Sequence, residues 1–256
     1  MILKKIISQI VDFIGINNII SIRNLLLSRN KIMDGPFKGM KYYSFLHRKY
    51  GMGNTHQRLF GTYEKELHHY IDLVNQNKPE LIINVGGGDG YYGVGLKLNN
   101  QNAKIIIFEK DRLKQKLISQ LLVKNGIGNS REVYGECTSS KLSKNLQPGS
   151  TNFVIMDVEG AEKDILSDEI VLVADLTYFL IEIHDHIEKG IGSKIINRFN
   201  NTHNISNIPF SGRNSDDFNK TGWLVDILPQ KYNLQCIWEK RPQDQYWLYM
   251  EPKILK

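Results

Sequence analysis

Three groups of residues in this 256-residue chain have the types and spacing to do chemistry. The first is Gly86-Gly87-Gly88-Asp89-Gly90, four glycines in five residues, with an acid, Glu109, about 20 residues on. Glycine tolerates positive φ and has no Cβ, so such a run bends sharply and lets a ligand come close to the backbone. The amides and positive dipole end of a following helix then favour a carboxylate or phosphate. Glu109, at the end of the next apolar run, is placed to accept hydrogen bonds from two ribose hydroxyls. A nucleoside-containing cofactor is implied, with Tyr91 and Lys110 as flanking contacts. The second group is Asp157-Val158-Glu159-Gly160-Ala161-Glu162, and the third is Glu182-x-His184. Two acids at a strand end are costly unless solvated, paired or metal-bound. Glu182 and His184 fall on one side of a strand. Convergence of Asp157 with this pair would supply either a general base or an oxygen and nitrogen set for a divalent cation. Both roles stand open: His184 as base or metal ligand, Asp157 and Glu182 as its partners.

Elements must carry these groups. Leu81 to Val85 and Lys104 to Phe108 read as buried strands on either side of a helix from Tyr91 to Asn99. A helix from Asp111 to Asn125, ended by Gly126, leads to a short strand, Arg131 to Tyr134, and then to the turn Gly135-Glu136-Cys137-Thr138. Phe153 to Met156 and Leu176 to Ile183 are two further apolar strands, each delivering its acids at the C-terminal end, where open α/β sheets bind ligands. Ahead of the first strand, Leu59 to Asn75 reads as one helix with Thr62 as N-cap. Behind the last of these, Asn200 to Gly222 is polar and without periodicity, a substrate loop or lid, and Leu234 to Trp238 with Tyr246 to Met250 read as a closing hairpin. The architecture expected is α/β, a domain over 79–256 preceded by a helical extension and covering hairpin over 1–78. Tyr42, Tyr43, His47 and Tyr50, in the aromatic stretch before Gly51, are candidates to line a polar pocket or to pack a sheet edge.

Composition sets limits. Cys137 and Cys236 form no C-x-x-C, which argues against a disulfide framework and a thiolate zinc site and leaves a reducing cytoplasm as the expected compartment. The net charge of +6 is spread along the chain, with no basic stripe interleaved with aromatics, so no nucleic-acid partner is expected. Residues Ile2, Leu3, Ile6, Ile7, Ile10, Val11, Phe13 and Ile14 keep a helical rhythm around Lys4, Lys5 and Asp12. No run reaches spanning length. The rhythm fits a helix packed on its own domain or on another subunit better than a peripheral membrane helix, and residues 1–30 are the expected contact in either case.

Gly88-x-Gly90-x-x-Gly93 satisfies the dinucleotide pattern formally, but its register is wrong: Gly86 is the glycine that follows the strand, and counted from there the third position is Tyr91. The alternate run Gly86-x-Gly88-x-Gly90 resembles motif I of class I S-adenosylmethionine-dependent methyltransferases. With Glu109, the Asp157–Glu162 segment and Glu182-x-His184, the chain from roughly Leu81 onward resembles the FkbM family of such enzymes. The resemblance implies a Rossmann-like, mostly parallel seven-stranded sheet with a C-terminal antiparallel hairpin, and S-adenosylmethionine as cofactor. It implies that Gly86, Gly88, Asp89 and Gly90 carry the methionine part, that Glu109 holds the ribose, and that Glu136, beside Cys137, meets the adenine. Asn84 stands where many relatives carry an acid that braces the turn; Tyr63 and Glu64 would cover the cofactor. A hydroxyl acceptor is implied, a carbohydrate or a glycan or natural-product precursor, with Mg²⁺ as an alternative to a side-chain base. An NAD(P)-dependent oxidoreductase and a non-catalytic scaffold subunit remain the other readings.

Overall fold

The computed structural model describes residues 16–42, 54–128, 132–218, 223–226, 229–239, 241 and 245–253. Tyr43, His47, Tyr50 and the N-terminal rhythm as far as Ile14 lie outside the described residues. The chain divides into two compact units, Met1–Tyr63 with Gly212–Lys240, and Glu64–Ser211 with Arg241–Lys256.

The second unit is built on a seven-stranded sheet: β1 Leu81–Val85, β2 Lys104–Phe108, β3 Val133–Tyr134, β4 Asn152–Met156, β5 Thr177–Ile183, β6 His203–Pro209 and β7 Tyr246–Pro252. Its order is β3-β2-β1-β4-β5-β7-β6. Strands β1 to β5 run parallel, and β7 is antiparallel to both β5 and β6. This is a Rossmann-like, mostly parallel sheet closed by an antiparallel pair. Strands β1 and β4 are buried at every residue, as predominantly apolar runs covered on both faces must be, with Asn84 and Asn152 the polar exceptions. One face packs Ile83, Val85, Met156, Ile181 and Ile183 against Ile191, Ile195 and Phe199 of the helix Ile191–Phe199. The chain leaves β1 for β2 on one side and later enters β4 on the other. A crevice therefore opens beyond the C-terminal ends of β1 and β4.

Two expectations need correction. An antiparallel pair does close the sheet, but its first member is β6, inside the segment read as a loop or lid, and Gln230–Ile237 is a helix that buries Asn233, Cys236 and Ile237 at helical spacing. Leu59 to Asn75 is not one helix: Thr55–Phe60 stops at Gly61, which has φ +72, and the chain resumes through a 3₁₀ turn, Lys65–Leu67, into the helix His68–Asn77. Gly61 is required there because a Cβ would lie 2.0 Å from the Asp34 carbonyl oxygen. Thr62 caps nothing; its hydroxyl donates to the Gln57 carbonyl at 3.4 Å.

In the first unit, Ile20 of the helix Ile16–Ser28 packs with Phe60, Cys236 and Ile237, and Phe60 meets Phe218 with ring centroids 5.0 Å apart. A single bridge between Lys31 and Lys41 is what the described residues show of the covering hairpin, and Tyr42 beside it is wholly buried. No helix among the described residues is long and apolar enough to cross a membrane.

Candidate active site

The glycine turn leaves β1 and enters the helix Tyr91–Asn99. Gly86 has φ +79, and a Cβ on it would stand 1.7 Å from the carbonyl oxygen of Asp157, which itself follows β4. A Cβ on Gly87 would meet Ile107 and Ile118 at 2.5 and 2.8 Å. Gly88 differs: it has φ +55, lines a cavity, and nothing lies within 4 Å of where its Cβ would be. The first two glycines thus serve packing and the third keeps open space. Gly88 N–H donates to Glu109 Oε2 at 2.8 Å, and Asp111 N–H donates to Oε1 at 2.8 Å. Glu109 is thereby held rigid at the end of β2, each oxygen keeping acceptor capacity.

The cavity, about 170 Å³, is walled on one side by Gly86, Gly88, Glu109 and Lys110, and on others by Glu136, Cys137, Asp157 and Glu159. Burial pushes the Cys137 thiol up to about 12, so it is a neutral, unreactive wall.

Beyond Asp157 lies a dense set of charges. His184 is fully buried, with Nδ1 2.6 Å from Oε1 of an equally buried Glu162. Its Nε2 has no hydrogen-bond partner and faces Glu159 at 3.4 Å, Asp157 at 3.6 Å and Glu182 at 3.9 Å. Asp157 Oδ1 and Glu162 Oε2 are likewise without partners. Glu182 is ion-paired with Arg241, which also pairs with Glu64, and Glu64 accepts from the Tyr92 hydroxyl. Five carboxylates therefore surround one guanidinium and one imidazole. Two of the acids, Glu64 and Glu159, hold non-glycine backbone at φ +46 and +55, a conformation retained at a cost.

The crowding shows in protonation. Desolvation, then the charges of Glu64 and Glu159, raises the Asp157 carboxyl to about 6 against the pull of His184. Desolvation and the neighbouring Asp157 and Glu64 hold Glu182 well above the usual carboxylate range despite Arg241. Burial alone would lower His184, but the Glu162 hydrogen bond and the surrounding acids outweigh it and raise it.

Asp157, Glu182 and His184 come together, with one ligand atom from each within 4.8 Å of the others. Gly86, Gly88, Glu109, Lys110, Glu136, Cys137 and Asp157 share the cavity. The other candidates stand off its walls. Asp89 accepts from the Tyr91 amide at 3.1 Å, Gly90 starts the helix with φ +91, and Tyr91 is buried. Asn84 is buried in β1 with Oδ1 unbonded. Tyr63, in the first unit, is buried with the Arg58 guanidinium 4.3 Å above its ring. Sequence reasoning did not assign Glu162, although it closes the Asp157–Glu162 segment. It also missed Arg241 and Tyr92, whose partners are far away in the chain.

No family model matches the chain, and no curated protein matches its sequence. Among solved structures it is similar to the S-adenosylhomocysteine-bound methyltransferase PaMTH1 of Podospora anserina, at 11% identity over 80% of this chain and 84% of that one, with a TM-score of 0.49. It is similar also to the O-methyltransferase TomG of Streptomyces achromogenes, in complex with S-adenosylmethionine, at 13% identity over 80% and 85%, TM-score 0.48. A methyltransferase FkbM of Methylobacillus flagellatus matches at 12% identity over 68% of this chain and 44% of that one, TM-score 0.45.

Proposed function

We propose that this protein is an S-adenosylmethionine-dependent O-methyltransferase acting on a hydroxyl of a carbohydrate, or of a glycan or natural-product precursor. The observation that carries the reading is that one cavity has the glycine turn and Glu109 on one wall and Asp157, backed by His184, on another. The cofactor fits the residues present. Gly88 leaves open the space a side chain would fill, the helix Tyr91–Asn99 turns its N-terminus to the turn, and Glu109 retains acceptor capacity for two ribose hydroxyls. Glu136 and Cys137 would bound the base.

When bound, S-adenosylmethionine would supply an electrophilic methyl group, with a thioether as the leaving group. The protein's part is to align the acceptor oxygen and receive its proton. Glu162 fixes the proton of His184 on Nδ1 and leaves the Nε2 lone pair facing Glu159, Asp157 and Glu182. Asp157 lies between that nitrogen and the cavity, so the proton passes by way of the Asp157 edge to His184. Arg241, itself held by Glu64, keeps Glu182 in place.

A second reading is favoured by the unpartnered Nε2 and Oδ1: a divalent cation such as Mg²⁺ held by Asp157, Glu182 and His184, which would lower the pKa of the acceptor hydroxyl. Calorimetry with S-adenosylhomocysteine and with NAD, followed by methyl transfer to a panel of sugars with Mg²⁺ or with EDTA, tests both. Binding of NAD alone would overturn the proposal. Turnover in EDTA would remove the cation from it.

A further inference from the structure

The helix Ile16–Ser28 is turned the wrong way round for a helix that meets only water on its outer face. Its inner side buries Ile20 but also Arg23, Asn24 and Ser28, while Ile22 and Leu26, one turn apart on the outer side, are 53% and 56% exposed. Burying a guanidinium is expensive, and among the described residues Arg23 has no acid against it: its partners are Asn24, Asn233 and Cys236. Exchanging the two faces would lower the cost if water were the only neighbour, so the aliphatic outer face points to something else that covers it.

What covers it is indicated by charge. The chain that continues from the helix exposes Arg29, Lys31, Lys38 and Lys41 against one acid, Asp34, and the bridge between Lys31 and Lys41 sets two of these cations side by side. A symmetric dimer through this face would lay the same cations on themselves, which costs rather than stabilises. A surface with an apolar interior and a negatively charged boundary satisfies both features. The preceding sequence has the same character, with apolar residues at Ile2, Ile6, Ile10 and Phe13 around Lys4 and Lys5. We infer that the outer face of Ile16–Ser28, with the adjoining basic turn, docks on an anionic phospholipid bilayer.

Co-sedimentation of the full chain with vesicles of phosphatidylcholine alone, and of phosphatidylcholine mixed with phosphatidylserine, tests this. Binding is expected to the mixed vesicles and to weaken as salt is raised. I22E/L26E should abolish it, and K31Q/K41Q should weaken it on the order of 30-fold, since each juxtamembrane cation contributes roughly fivefold. A control in the other unit, L172E, at a leucine that is 85% exposed, should leave binding unchanged. Circular dichroism and thermal melts establish that each variant is folded. Failure of the wild-type chain to bind mixed vesicles, or equal binding by folded I22E/L26E, overturns the inference. So does a concentration-dependent dimer that I22E/L26E dissociates in the absence of vesicle binding, because the occupant would then be a second copy.

Discussion

Each unit of this protein buries a polar cluster, and the two are built on opposite terms. In the first, Arg23 donates to Asn24 Oδ1 and to Asn233 Oδ1, and Arg23 and Asn24 together donate to the Cys236 sulfur at 3.4 and 3.3 Å. Among the described residues, no fully buried polar atom of these four side chains is left without a partner. In the second, an excess of carboxylates meets one Arg and one His, and three buried atoms, Asp157 Oδ1, Glu162 Oε2 and His184 Nε2, have none. A satisfied network repays its desolvation and holds a shape. An unsatisfied one is maintained at a stability cost, which is expected where a proton, an ion or a substrate has still to arrive. Burial of polar groups alone does not separate the two; completeness of bonding does.

That contrast can be broken experimentally. The largest effect expected is from His184→Asn, which keeps a donor for Glu162 but removes the base: turnover should fall about 10²–10⁴-fold with affinity for S-adenosylhomocysteine unchanged. A parallel loss of affinity by calorimetry would return His184 to a structural role. Arg23→Met should do the reverse, costing roughly 2–4 kcal/mol in urea unfolding as the Asn24 and Asn233 oxygens lose their donors, with turnover of the folded fraction unaltered. Glu162→Gln sharpens the comparison. The raised His184 must be neutral to accept a proton, so wild-type activity should climb with pH through a value above 6.5, and loss of the Glu162 charge should move that climb to lower pH. A profile that stays in place means the imidazole does not limit the rate. The smallest effect is a gain: Asp157→Asn should stabilise the fold by on the order of 1 kcal/mol at pH 8, after allowance for a side chain that is 40% exposed. With its folded pKa raised to about 6, ionisation of Asp157 costs stability above that pH, and the gain should vanish as pH falls below the ordinary carboxylate range. Thermal melts at pH 8 and pH 4 that differ equally from wild type would contradict this.

Much of the second unit was legible in the sequence because its signals are local. Four apolar residues and Asn84, all buried and followed by a glycine turn, fix β1, and acids placed directly after apolar runs mark the ends of β2, β4 and β5. Strand β6 was not legible: as the edge of the sheet it is polar, exposed at Asn204, Asn207 and Pro209, and ends on a proline, so it lacks the apolar alternation that identifies an inner strand. Leu234 to Trp238 reads as a strand but is helical, because a short apolar run fits strand or helix equally and tertiary packing decided for helix. The break at Gly61 depends on the Asp34 carbonyl, and the Glu182–Arg241–Glu64 chain on contacts spanning 59 and 177 positions. Spacing cannot reveal either. Glu162 could have been found, since a buried acid beside a turn at a strand terminus calls for the same question asked of Asp157.

The contact between Gly86 and the Asp157 carbonyl has a mechanical consequence. With 1.7 Å where a methyl group would go, the loop that would grip the donor and the loop that would address the acceptor seat directly on one another and move as a single part. Relocating one relocates the other. Re-engineering for a new acceptor must therefore leave the backbone at residue 157 untouched and work through side chains farther along the rim, where a change of shape is not transmitted to the opposite bank.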